Sequence, residues 1–252
     1  MNRKNGYGFF LTALVLSLSL ATGSLAARES VVFVEAHPDD LAGHLGTALK
    51  LSEKFDVHII DFTHGELGCG WEKYTNGWTK ATRTAEESEV CRRAGFSLHW
   101  CDALDGFAYA DSNMCAQLTG YLRDINPRAV ICHWPIDEHP DHMMSAAATL
   151  KAVGLARLDC EIYFHEQDIQ SRGFQVTYYV DVTPYVEKIA ELTCLYACQN
   201  GSKVSQRKQE ERTVNARNIG RGNMRNVEII GVYHGRVQPG KGIFDGLEGV
   251  SL

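Results

Sequence analysis

The feature that most constrains this chain is the stretch Val31-Val32-Phe33-Val34-Glu35-Ala36-His37-Pro38-Asp39-Asp40. Its opening run of β-branched and aromatic residues predicts a short buried strand. The run ends abruptly in a His, a Pro and two adjacent carboxylates. Two ionised carboxylates side by side repel, and a buried one needs a partner. A divalent cation supplies such a partner. The strand tip therefore reads as half of a metal site.

Strand-like and helix-like segments alternate from there on. Strands are expected at 31–35, 57–63, 97–101, 129–133 and 161–165, with helices at 41–53, 82–94, 113–125 and 139–153. After Gln167 come strands at 175–182 and 227–233, helices at 184–199 and 204–220, and a glycine-rich tail expected to be loosely ordered. This alternation predicts an α/β fold, a mostly parallel sheet with helices on both faces, in a single domain. In such sheets ligands sit outside the carboxyl ends of the strands, which is where His37, Asp39 and Asp40 fall. No Gly-x-Gly-x-x-Gly follows the first strand, which disfavours a nucleotide cofactor there.

The second half of the site follows the fourth strand, in Trp134-Pro135-Ile136-Asp137-Glu138-His139-Pro140-Asp141-His142. Pro140 suits the first turn of a helix, and histidines three apart share one face of that turn. If strands one and four are neighbours, the two clusters meet. His37, Asp40 and His142 then make the two-imidazole, one-carboxylate ligand set of an open catalytic zinc site, a set that also suits Fe²⁺. Asp39 and His139 remain for acid–base work. Rival ligands are His44, His64, His133, Cys69 and Cys132. Of these, His44 reads as a helix-surface residue and His133 is the strongest competitor. His58, His99 and His165 read as structural residues in or beside strands.

The ends and the bulk numbers set outer limits. Residues 1–26 carry Arg3 and Lys4, an apolar run from Phe9 to Ala21 and the small residues Ser24 and Ala26. That is the pattern of a secretory signal peptide cleaved after Ala26. The expectation is an exported protein with no stable membrane insertion after signal removal and a domain over 27–252, its core about 31–235. A net charge of −6 without a basic block argues against nucleic acid as a partner. The eight Cys permit disulfides whose pairing cannot be read from spacing. Cys101 and Cys132 suit buried strand positions. Cys194 and Cys198 are poorly placed to bond to each other.

At these motifs the chain resembles the PIG-L/LmbE-like zinc-dependent N-acetylglucosamine deacetylases. The family motif Ala-His-Pro-Asp-Asp-Glu is matched by Ala36-His37-Pro38-Asp39-Asp40-Leu41, and His-Pro-Asp-His is intact at 139–142. Thr63-His64-Gly65-Glu66, Arg83-Thr84-Ala85-Glu86 and Asp105-Gly106 also fall in register. The resemblance implies a Rossmann-like fold and removal of an N-acyl group from an amino sugar or glycoconjugate. It implies zinc on His37, Asp40 and His142, Asp39 as general base, His139 at the oxyanion and Asp141 tuning His139. It places Arg83, Glu66 and Asp105 toward substrate. Leu41 departs from the family, which has Glu there. A related zinc amidase on a non-sugar amide and a non-catalytic secreted binding protein are the alternatives. The segment 68–80, with Trp71, Tyr74 and Trp78, reads either as a sugar-stacking surface or as a packed lid.

Overall fold

The computed structural model describes residues 27–68, 76–167, 170–220, 223–238 and 240–245. The expected signal segment 1–26, Cys69, and the loop residues Trp71 and Tyr74 lie outside them. Among the described residues no helix is long and apolar enough to cross a membrane.

The elements run β1 (Ser30–Glu35), α1 (Leu45–Leu51), β2 (Asp56–Thr63), α2 (Asn76–Ala94), β3 (Ser97–Ala103), α3 (Ser112–Ile125), β4 (Ala129–His133), α4 (Pro140–Ala156) and β5 (Glu161–His165). Then follow β6 (Tyr178–Asp181), α5 (Val186–Thr193), α6 (Gly201–Ile219) and β7 (Val227–Val232). The strands form one sheet in the order β3-β2-β1-β4-β5-β7-β6. β1 to β5 pair in parallel, and β7 runs antiparallel to both β5 and β6.

β1 lies between β2 and β4, with Val34 opposite both Ile60 and Cys132. Its side chains alternate between two cores, as period-two geometry requires. Val31 and Phe33 pack with Leu41, Leu45, Ile59, Val90, Ile131 and Ile189 on the face of α1, α2 and α5. Val32 and Val34 pack with Ile60, Leu118, Leu122, Val130 and Ala152 on the face of α3 and α4. A fully buried Leu such as Leu118 or Leu122 contributes about 2–3 kcal/mol. Both faces are thus covered, which is why β1 reads as a continuous apolar run until its last residue.

Three expectations are corrected. The helix expected at 41–53 starts later. Asp39 takes a left-handed conformation (φ 90°), Asp40–Gly43 form a 3-10 turn, and α1 begins at Leu45. The helix expected at 184–199 ends at Thr193, and a separate 3-10 turn covers Ala197–Gln199. The tail is not loose as far as it is described. Ile243 and Phe244 are buried in the first core, with the Phe244 ring 4.7 Å from that of Tyr163. Cys101 and Cys132 are buried strand residues as expected, and Cys194 is a free thiol.

Candidate metal centre

The β1–β4 pairing brings the two sequence clusters together at the carboxyl end of the sheet. His37 Nδ1 lies 3.2 Å from Asp40 Oδ2, and His142 Nε2 lies 3.6 Å from the same oxygen. The His37 and His142 ring centroids are 5.4 Å apart. Groups of side chains here have ligand atoms close enough to hold one ion, including His37 with His139 and His142, and Asp40 with His133 and His142. All of them open on a cleft of about 320 Å³ except His133; Asp39, Arg83, Asp105 and Gly106 complete much of its wall. That is the size of a small-ligand site.

Each expected ligand histidine is held by a carboxylate on its far nitrogen. His142 Nδ1 is 3.0 Å from Asp137 Oδ1, and Asp137 also accepts from the His139 amide and from Ser171 Oγ, each at 2.8 Å. Burial opposes ionisation of Asp137, but these bonds together hold its carboxyl at about 2. His37 Nε2 is 3.1 Å from Asp141 Oδ2 and 3.2 Å from Asp105 Oδ1. Asp141 is fixed in turn by the amides of Gly106 (2.6 Å) and Ala108 (3.1 Å). A carboxylate on one imidazole nitrogen leaves the other lone pair aimed at Asp40, the arrangement that orients metal-binding histidines.

Asp141 contacts both His37 and His139. Its carboxylate faces His37 rather than His139. Only its backbone amide meets His139, donating to Nδ1 at 3.3 Å. That bond places the His139 proton on Nε2. Burial, then the neighbouring His37 and His142, lower the His139 pKa against the opposing charges of Asp141 and Asp40.

Asp39 stands apart from the ligands. The Arg83 guanidinium, buried on α2, bonds to the Asp39 carboxylate and the Pro38 carbonyl, and reaches Gly65 O at 3.1 Å. Gly65 has φ +64°, and a Cβ there would run into that guanidinium. Burial, helped by the adjacent Asp40 charge and opposed by Arg83, raises the Asp39 carboxyl from 3.8 to about 6. Asp40 is held well below its usual range: burial opposes ionisation, but His142 and His37 outweigh it. Two neighbouring carboxylates are thereby driven apart, one fully ionised and one poised to exchange a proton.

The remaining sequence candidates fall as follows. Asp105 lines the cleft and accepts the Leu67 amide at 2.8 Å. Arg83 also lines it, and its bonds go to the Asp39 carboxylate and to backbone carbonyls, so it holds that carboxylate in place. Glu66 is buried, is not part of the cleft wall, and has Oε2 without a hydrogen-bond partner. His64 is occupied elsewhere, by Thr84 at 2.8 Å and Asp102 at 2.9 Å. His58 and His99 pair with each other across β2 and β3 at 3.1 Å. His133 is near Asp40 (3.4 Å), yet its Nε2 accepts the Ala36 amide at 3.0 Å, which uses the lone pair a ligand would need. His44 is not a surface residue. It is buried and 2.7 Å from Glu35. Leu41 is buried among Phe33 and Leu45, so the position where the resembling motif has an acid is apolar core here. Asp137 and Gln167, which donates to Asp40 O at 2.8 Å, were not singled out from sequence. A carboxylate five residues before His142 in the same strand-to-helix loop was the available signal for Asp137.

Comparison with known proteins follows the same lines. Residues 32–153 match the family model described as PIG-L, GlcNAc-PI de-N-acetylase. Diacetylchitobiose deacetylase from Thermococcus kodakarensis is 27% identical over 175 residues, covering 63% of this chain and 66% of that relative, just under two thirds of its length. The solved N,N'-diacetylchitobiose deacetylase from Pyrococcus horikoshii matches with a TM-score of 0.71 at 21% identity, over 81% of this chain and 84% of that one. The 4-carboxy-2-hydroxymuconate hydratase from Pseudomonas putida KT2440 matches with a TM-score of 0.74 at 22% identity, over 84% and 98%. At these identities the structures establish a shared fold. A deacetylase and a hydratase on one fold mean that the site must decide the reaction.

Proposed function

From the premise that this chain carries a PIG-L domain over residues 32–153, we propose that it is a metal-dependent N-deacetylase. Its substrate is an N-acetylglucosamine-type amino sugar or glycoconjugate. The observation that carries the reading is the paired support of the ligands: Asp141 behind His37 and Asp137 behind His142, with Asp40 between them. Such a set fits a zinc-type ion, with His37, Asp40 and His142 as the residues that would hold it. Bound there, zinc would acidify a water and polarise the acyl oxygen.

The chain's own groups then divide the proton work. Asp39, ionised above about pH 6, accepts a proton from the attacking water. Arg83 holds that carboxylate toward the cleft. His139 donates its Nε2–H to the oxyanion as a neutral imidazole, while the Asp141 amide fixes its tautomer. The amine leaves only when protonated, and Asp39 is the group that has just gained a proton. Asp105 and Gln170 in the cleft wall offer hydrogen bonds to hydroxyls. Phe107 and Tyr109, exposed in the loop after Asp105, offer apolar ring faces to a sugar.

The curated deacetylase and the PIG-L match favour an amide substrate over hydration of a carbon–carbon double bond. From the pattern of residues 1–26 we place the reaction outside the cytoplasm. The test is release of acetate from chitobiose-type and simple N-acetylglucosamine conjugates by purified protein, before and after chelation, with zinc or Fe²⁺ added back. Chelator-sensitive release is expected. Zinc-replete protein that leaves every such amide intact refutes the reading.

A further inference from the structure

One buried cluster takes no part in this chemistry. Glu35, the last residue of β1, is fully buried on the face of Leu41 and α1. His44 Nε2 lies 2.7 Å from its Oε1, and His165 Nε2, from the end of β5, lies 3.2 Å from its Oε2. The His44 and His165 rings stack at 3.7 Å. Despite this crowding the cluster is short of hydrogen bonds. Glu35 Oε2 and His165 Nε2 face each other at 3.2 Å in poor alignment, and the Nδ1 atoms of His44 and His165 are buried with no hydrogen-bond partner. Buried polar atoms left poorly paired are costly, and here they gather in one corner of the domain.

Two further observations bear on what this cluster can hold. A small cavity of about 20 Å³ opens against His44 and His165 beside Gly43, enough for about one water. The charges of the cations in its wall are answered elsewhere: Arg212 pairs with Glu228 at 2.7 Å, and Lys208 with Glu211 at 3.5 Å. One carboxylate and two imidazoles are a zinc-type donor set, and their ligand atoms lie within 4.8 Å of one another. Bonds of 2.0–2.1 Å in a tetrahedron put ligand atoms roughly 3.3 Å apart. His165 Nε2 lies 3.2 Å from Glu35 Oε2, close to that spacing, while His44 Nε2 approaches the other oxygen, Oε1, at 2.7 Å, so an ion shared by the three requires the carboxylate to turn one oxygen between the two rings.

We propose that Glu35, His44 and His165 form a second divalent-metal site of zinc type, with a water from the small cavity as fourth ligand. It shares no ligand with the His37–Asp40–His142 set. Its role is structural. It ties the tip of β1, the start of α1 and the end of β5, and so frames the Pro38–Asp40 turn from behind.

The test uses the full chain, stripped of metal and titrated with Zn²⁺ alone in a calorimeter, with bound metal counted after desalting. Two zinc ions per chain are expected. His44→Gln and His165→Gln should each bind one, and His142→Ala should also bind one, because it loses the other site. Zn²⁺ should still raise the Tm of His142→Ala and should fail to raise that of the His142→Ala/His165→Gln double variant. A zinc count that His165→Gln leaves unchanged from the wild type overturns the proposal. If the histidine variants do not fold, wild-type crystals soaked in Zn²⁺ decide it. An anomalous peak bounded by Glu35, His44 and His165 supports the site, and its absence overturns it. None of these readouts depends on deacetylase turnover.

Discussion

Replacing Asp39 by Asn separates base chemistry from metal binding. Asn is nearly isosteric and tolerates the left-handed backbone of this position (φ 90°) better than most residues. The turn that aims Asp40 should therefore survive. Arg83 loses an ionic partner but keeps the Pro38 carbonyl and the Gly65 carbonyl at 3.1 Å. Against that loss, the substitution relieves the ionisation cost of a carboxyl raised from 3.8 to about 6. The two effects oppose each other, so folded stability should move by no more than about 2 kcal/mol. Turnover is another matter. A positioned base contributes about 10²–10⁴ in rate, or roughly 3–5 kcal/mol of barrier. The assay is acetate release alongside zinc content on the same sample. Zinc should stay at the wild-type level while kcat falls by at least about a hundredfold. The pH profile adds a sign check. The base works only when ionised, so wild-type kcat/KM should rise with pH on an acid limb at or below about 6, and the variant should lack that limb. Wild-type turnover in the variant refutes the base assignment. Parallel loss of zinc and activity refutes the separation of Asp39 from the ligands.

Other perturbations probe the supporting groups. Asp137→Asn removes the charge behind His142 and should weaken zinc affinity about 10–100-fold in a competition titration; unchanged affinity counts against the orienting role. His139→Ala should keep zinc and lower kcat about 10²–10³-fold with little change in KM, as expected for a donor used at the oxyanion. Glu87 offers a stability test at a buried carboxyl behind the site, hydrogen-bonded to the Asp39 backbone. It is buried, and burial raises its carboxyl from 4.5 to about 7. A raised acid leaves folding unaffected below about pH 4.5 and costs increasing stability as pH climbs through 7. Glu87→Gln should therefore raise Tm by several degrees at pH 8, reflecting on the order of 2–3 kcal/mol, and leave it nearly unchanged at pH 4.5. Equal shifts at both pH values contradict this.

Much of the molecule was legible in the sequence, because the decisive signals are local. The apolar run of β1 and its charged tip, the alternation of strands and helices, and the proline-started helix behind His139 all depend on residues a few positions apart. They fixed the α/β class and named both halves of the site. The helix boundaries near 41 and 193 were less legible. They depend on the left-handed turn at Asp39 and on packing of the α5–α6 connection, which outweigh helical spacing.

The partnerships across the site were decided by tertiary structure alone. His37 and Asp141 are 104 residues apart and meet only because β1 pairs with β4. Arg83 reads as a substrate residue in sequence, and α2 packing sets it in the cleft wall with its guanidinium bonded to Asp39. His44 looks like an exposed helical residue until the 3-10 turn after Asp39 swings it inward against Glu35 and His165. Sequence pattern determined which chemical groups reach the strand tips, since side-chain direction along a strand or helix is a local property. Which carboxylate orients which imidazole, and which histidines share a buried acid, follows from strand order and burial, and these are properties of the whole sheet.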